Sequence, residues 1–520
     1  MLRKETLGSM QRIRFFAVIA LVLALSAAST AQAVPPKKLG EAIPGGQSPL
    51  GALDKNLKDG LATISPSEAY DIVKTLARPE YAGRLTGHPG YTAAAQWAAK
   101  KLASWGLKPV SGKDGYLQPY ASPYTIIDRA EMTILLPDGP PDPGKAPTYK
   151  EMKLVPEKDF LPLLYSDNGD RTAETVFAGW GISAPEIGYD DYAGLDVKGK
   201  FVLCFRGTPD RDPRYQHYDE HRTRMRTALD KGALGIVYVY NDDEVASNPN
   251  GDFLAGFTPA VIGMKVLDAI LKDAGSTAAD LKKALTTWKR PISFPLRAKI
   301  RLAVASRHFP QAVGYNIIGY IEGSDPRLRR ECVVIGGHFD HTGMHMGLLF
   351  PGADDNASGS ATCMEAGKAL ASLARKPKRS IVIALFGGEE MGLQGSTWFT
   401  DHLPPFFDKV AGMFNFDMTG EGDGLWGAVA AEPAEFRKVL EQADKSVKIL
   451  RYLGTITGVG VRGSDHAPFF LKGIAAATLG SNGPHVAYHQ TGDTIYRINP
   501  DITAEAAKLA FQAAFAWADR

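Results

Sequence analysis

From about Gln311 onward the chain repeats one pattern: an apolar run of strand length, a stop rich in glycine or acid, then a segment of helix length. The runs are NIIGYIEG, ECVVIGG, SIVIALFGG, VAGMFNFDM and GIAAATLG, and the helical segments include Ser360 to Ala374 and Thr503 to Trp517. Strands that are apolar on both faces belong inside a sheet covered by helices on either side. The alternation therefore predicts an α/β fold, an α/β/α sandwich around a mostly parallel central sheet.

That pattern covers only part of the 520 residues, more than one hydrophobic core usually organises, so two or three domains are expected. Arg3, Lys4, Arg12 and Arg14 precede the apolar run Phe15 to Ala28, and Ala31-Gln32-Ala33 forms an A-x-A site before Val34. This reads as an export signal over 1–33, with the periplasm or the medium as destination; an uncleaved anchor is the competing reading. A first section of the main domain follows over 34–148. In it, SPSEAYDIVKTLA opens on Ser65-Pro66 as cap and first turn, and YTAAAQWAAKKLASWG closes on Gly106, so both read as helices. The stretch PDGPPDPGKAP then changes the texture to short β-rich runs, AETVFAGWG, GKFVLCFRG and ALGIVYVYN, which read as an inserted domain over 149–307. Residues 308–520 complete the main domain.

Composition excludes several functions. With 44% hydrophobic residues, 22% charged residues and a net charge of +2, neither nucleic acid nor an anionic surface is an expected partner. Beyond the leader no apolar stretch reaches 18 residues, so no stable membrane partner is expected. Cys204, Cys332 and Cys363 sit within strand-like or helical runs and read as small buried hydrophobes, not as a disulfide framework or a nucleophile.

The polar residues of the main domain gather where open α/β sheets place their sites, at the C-terminal ends of strands. His338 and Asp340 follow ECVVIGG; Asp354 and Asp355 enter the Ser360 helix; Glu389 and Glu390 follow SIVIALFGG. Asp417 closes MFNF, and His489 lies one loop beyond GIAAATLG. Carboxylates delivered to one edge from so many segments repel one another unless positive charge compensates them, and a pair of divalent metals would supply it.

Taken in order, GGHFDHTG, PGADDNASG, FGGEEMGLQGS, NFDM, GSDHAPF and AYHQTGDT resemble the co-catalytic dizinc aminopeptidases. Their superfamily also holds glutamate carboxypeptidase II, transferrin receptor and glutaminyl cyclase. The insert, with GYDDYAGLDVKGKFVLCFRG, resembles the protease-associated domain that many members carry. The resemblance implies a zinc-exopeptidase fold and two zinc ions per chain, with other divalent ions as the alternative. His338 and Asp417 would be terminal ligands of one ion, Asp355 the bridge, and Glu390 and His489 the ligands of the other. Imidazole and carboxylate at open coordination positions form the ligand set of catalytic zinc. Glu389 takes the role of general base, Asp340 that of orienting His338, and Tyr488 that of stabilising the tetrahedral oxyanion.

Asp354 is expected to cap or hydrogen-bond, and His341, His345, His466, His485 and Arg84 are expected to be structural. The implied activity is hydrolysis of N-terminal residues from peptide substrates. A carboxypeptidase or dipeptidase of the same superfamily is the alternative, since it uses the same metals. A glutaminyl cyclase, with a single zinc, and a non-catalytic binding protein, with ligands lost, fit the retained ligand set less well.

Overall fold

The computed structural model describes residues 54–110, 115–140, 144–210, 212–248, 253–457 and 461–520. The export signal expected over 1–33 lies outside the described residues. Among the described residues no helix is long and apolar enough to cross a membrane.

The strands read from the sequence form the middle of a nine-stranded sheet. Ser380–Phe386, Glu331–His338, Lys409–Phe416 and Ala476–Ser481 run side by side and parallel. Antiparallel pairing takes over at both flanks, where Val313–Ile321 joins Ser380–Phe386 and Leu425–Val429 joins Ala476–Ser481. Parallel pairing returns at one edge, between Leu425–Val429 and Leu450–Thr455, but the four-strand parallel block is the centre, where both faces are covered. One face is packed by Pro66–Leu76, Pro89–Ser104, Gly359–Ser372 and Pro500–Ala518 around Ile335, Ile383, Phe414 and Phe511. The other is covered by Gln394–Asp401 and His466–Leu471 through Phe399 and Phe469. Local signals act as expected: Ser65 accepts the Glu68 N–H at the start of its helix, and Gly106 adopts a φ of +82° at the end of the next.

A second, eight-stranded sheet carries its own cores, one against Met264–Leu271 and Ala278–Trp288, the other against His221–Asp230. Its longest strands, Tyr124–Pro137 and Ser293–Phe309, pair next to the edge strand Tyr149–Lys153. This sheet therefore starts upstream of Tyr149, where the sequence placed the boundary. The reason is local: Pro137 pairs with Tyr149 and Asp138 N–H donates to Thr148 O at 2.9 Å, so the Pro-rich stretch is a hairpin connection within one sheet. The three cysteines are buried and unbonded to one another, as their apolar settings required.

Candidate metal centre

Parallel register brings the strand ends together. His338 is the last residue of its strand and pairs with Phe386, three residues before Glu389; Phe416, which precedes Asp417, pairs with Leu479. Gly352 explains the spacing of PGADD: at φ +59° it lies so close to the His341 ring that a Cβ would sit 2.4 Å from Cγ.

Asp355 lies between the two predicted halves. Its Oδ1 is 3.1 Å from His338 Nε2, and its Oδ2 is 3.1 Å from His489 Nε2. On the first side, Asp417 Oδ1 also lies 3.1 Å from His338 Nε2; on the second, Glu390 Oε2 lies 2.9 Å from His489 Nε2. The other ring nitrogens face backbone carbonyls, Asp340 O at 3.2 Å from His338 Nδ1 and Ser247 O at 2.9 Å from His489 Nδ1. A carbonyl only accepts, so each Nδ1 carries the hydrogen, and each Nε2 is the nitrogen turned toward carboxylate oxygens. In a buried site that contact needs a positive charge between nitrogen and oxygens, a proton on Nε2 or a metal ion in its place. The donor set, one imidazole and one carboxylate on either side of a shared Asp355, fits the ligand chemistry of zinc at a catalytic centre.

The electrostatics carry the same mark. Burial alone would lower the His338 pKa, but Asp417, Glu389 and Asp355 outweigh it and hold the imidazole well above its usual range. For His489, Glu390 and Asp355 likewise overcome burial. Burial, reinforced by Glu390, Asp417 and Asp465 against His338, raises Glu389 well above the carboxylate range. Asp340 and Asp465, both completely buried, are pushed up to about 7. Negative charge exceeds positive charge until a cation is supplied.

Two of the expected roles take a different form. Asp340 orients His338 through its backbone carbonyl; its carboxylate is 3.8 Å from Nδ1 and instead accepts the Glu389 N–H at 3.2 Å. Its side chain thus places the expected base, and its main chain the histidine. His341, expected to be structural, lies with its Nδ1 2.9 Å from Glu390 Oε1 and 3.7 Å from Asp355 Oδ2. It joins Asp355, Glu390 and His489 in one cluster of possible ligand atoms. Tyr488 stacks on His489, centroids 3.9 Å apart, and lines the cavity at half exposure.

Residues that carried no assigned role hold this set in place. Asp493 accepts the N–H groups of Asp354 and Asp355, and Ser464 Oγ donates to Asp417 Oδ2 at 2.6 Å. Asp493 stands in AYHQTGDT and Ser464 in GSDHAPF, so their motifs were signals; Ser247 had none. Asp354 fulfils the expected hydrogen-bonding role, accepting from Gly420 N–H at 2.8 Å and pairing with His485 Nδ1 at 2.6 Å, so that of His485 and His489 it is His489 that faces Asp355. Arg84, completely buried, donates to the carbonyls of Leu76, Phe339, Pro351 and Gly352 and ties the two metal-motif segments together. That makes it structural, as its loop suggested.

The centre opens into a cavity of about 260 Å³. His338, Asp355, Glu389, Glu390 and Asp417 form one side, with Met418, Trp426 and Ala428 among its apolar walls.

Residues 316–514 match the model of Peptidase family M28, and residues 162–266 match the PA domain. "Probable leucine aminopeptidase 1" of Trichophyton verrucosum is 31% identical over 256 residues, 44% of this chain and 66% of that protein. "Probable glutamate carboxypeptidase" of Arthroderma benhamiae is 25% identical over 490 residues, 77% of this chain and 63% of its own length. The chain thus spans just under two thirds of each of these curated relatives. Among solved structures, the aminopeptidase from Aneurinibacillus sp. strain AM-1 superposes with a TM-score of 0.60 at 21% identity, covering 88% of this chain and 95% of that one. That likeness shows the fold.

Proposed function

With a peptidase family M28 domain over 316–514 and a PA domain over 162–266 as the premise, we propose that the chain is an exported zinc aminopeptidase that removes N-terminal residues from peptides. The observation that carries the polarity is the lining of the metal cavity. It carries no lysine or arginine among the described residues, so it offers no basic clamp for a terminal carboxylate. A free terminal amine is recognised by carboxylates, whereas a terminal carboxylate needs a basic clamp. Arg462, the one basic residue near GSDH, is exposed and outside this lining, and Arg497 is engaged by Glu421 at 2.6 Å. Met418, Trp426 and Ala428 offer an apolar wall to the first side chain.

Two zinc ions would fit the donor set: His338 and Asp417 would hold one, Glu390 and His489 the other, with Asp355 within reach of both and His341 beside the second. Bound there, zinc supplies Lewis acidity to the scissile carbonyl and to water. Glu389, on the cavity wall and anchored by Asp340, takes a proton from the attacking water and returns it to the leaving amine. The Tyr488 phenol, on the same wall, donates to the developing oxyanion. The leader at 1–33 delivers the enzyme to the periplasm or the medium.

The test uses one unmodified peptide beside its N-acetylated and C-amidated forms, with products timed by mass spectrometry. Acetylation should block cleavage and amidation should not. The opposite result replaces this reading with a carboxypeptidase, the activity named for the Arthroderma relative.

A further inference from the structure

One face of the second metal half is not built by the domain that carries the other ligands. His489 and Ser247, 242 positions apart, are hydrogen-bonded in both directions: His489 Nδ1–H donates to Ser247 O at 2.9 Å, and Ser247 N–H donates to His489 O at 2.9 Å. The next two residues are held the same way. Gln490 Nε2 donates to Asp243 O at 2.7 Å, and Thr491 N–H donates to Glu157 Oε1 at 2.7 Å. Ser247, Asp243 and Glu157 all lie in the span that bears the second sheet, not in the one that positions His338 and Asp417. His489 itself has a φ of +54°, a left-handed conformation that a side-chain-bearing residue keeps only where its surroundings enforce it.

We propose that the insert is a positioning device for the metal half built on Glu390 and His489, holding the His489 ring in one tautomer and one direction. The proposal rests on the two-zinc reading above. The physical basis is general: the group that accepts the second N–H of a ligating imidazole fixes which nitrogen is free and where it points. For His338 that group is the carbonyl of Asp340, two residues away on the same strand end, so its placement is local. For His489 it is a carbonyl on another domain, so the two halves depend on the fold differently. Displacing the insert releases His489 while leaving His338, Asp417 and their shared Asp355 in place. Ser247 is a positioning residue in this scheme, and Glu157 and Gln490 are the struts that keep its loop and the 489–491 loop in register.

The test is zinc titration of the metal-free full chain against a chromophoric chelator, with thermal unfolding of the same metal-free samples. The variants are Glu157→Ala with Gln490→Ala, and Glu157→Gln, which keeps an acceptor for the Thr491 N–H. The double variant should bind one of two ions on the order of 10-fold or more weakly, the size expected for loss of an outer hydrogen-bond partner, and the other ion unchanged. Glu157→Gln should titrate like the parent. Two equally tight ions in the double variant would overturn the proposal. Equal weakening of both ions, with a lower unfolding temperature of the metal-free protein, would overturn it in favour of a merely structural contact. A parent chain that takes up a single ion would instead overturn the two-zinc reading on which it stands.

Discussion

The carboxylate of Asp493 accepts the backbone N–H of Asp355 at 3.0 Å, so the residue common to two clusters of candidate ligands is aimed by an acid 138 positions further along the chain. The same carboxylate takes the Asp354 N–H at 2.8 Å. Asn at position 493 would keep one acceptor and turn an NH₂ group toward an N–H. Asp493→Asn should therefore retain zinc on the order of 10- to 100-fold less well, read as metal content after dialysis against a graded chelator. Unchanged retention would show that Asp355 is oriented by its own loop.

Glu389 lines the cavity without being one of the clustered ligand candidates. Glu389→Gln should keep nearly full zinc content and lose about 10³-fold or more in kcat, as when a general base is removed. Loss of metal in that variant would make Glu389 a ligand.

Arg84 spends its guanidinium on four backbone carbonyls in a fully buried setting. Lysine cannot reproduce that fork, and leucine leaves every acceptor unpaired. Arg84→Leu should lower unfolding stability by about 3 kcal/mol or more in denaturant titration, with or without metal. A loss seen only in the zinc-loaded protein would place Arg84 in the catalytic machinery.

His345 should set an acid limit on stability. It is buried where Ile127 N–H donates to its Nδ1 at 3.3 Å and its Nε2 faces Thr342 O at 2.8 Å, which fixes the neutral ring. Burial lowers its pKa from 6.5 to about 4, with the Thr342 carbonyl opposing. The unfolded chain thus binds more protons than the folded one between those values. The stability this ring contributes is present above pH 6.5 and is lost as pH falls through 4. The full effect is about 3 kcal/mol. In denaturant titrations of metal-free protein, His345→Gln should flatten the decline between pH 6.5 and pH 4. An unaltered slope would assign the acid sensitivity to other groups.

The sequence by itself determined the layers of the main domain and most of the centre. Runs such as SIVIALFGG are apolar on both faces, which permits only a covered sheet, and their parallel order puts His338, Glu390 and Asp417 at one edge. Each of these residues is placed within a few positions of a strand end, so local sequence carries its location. Tertiary structure decided what depends on distant partners. The turn-rich stretch after Pro137 reads as a boundary because turns look alike in a linker and in a hairpin, and only pairing with Tyr149 shows which it is. His341 reads as one histidine among several, since its approach to Glu390 arises from loop packing. Asp340 shows the limit most directly: its spacing from His338 predicted an orienting role, but whether carbonyl or carboxylate fills it depends on a backbone turn. The bond from His489 to Ser247 has no local signature at all, because a backbone carbonyl is present in every residue and only the docking of one domain on another chooses which is used.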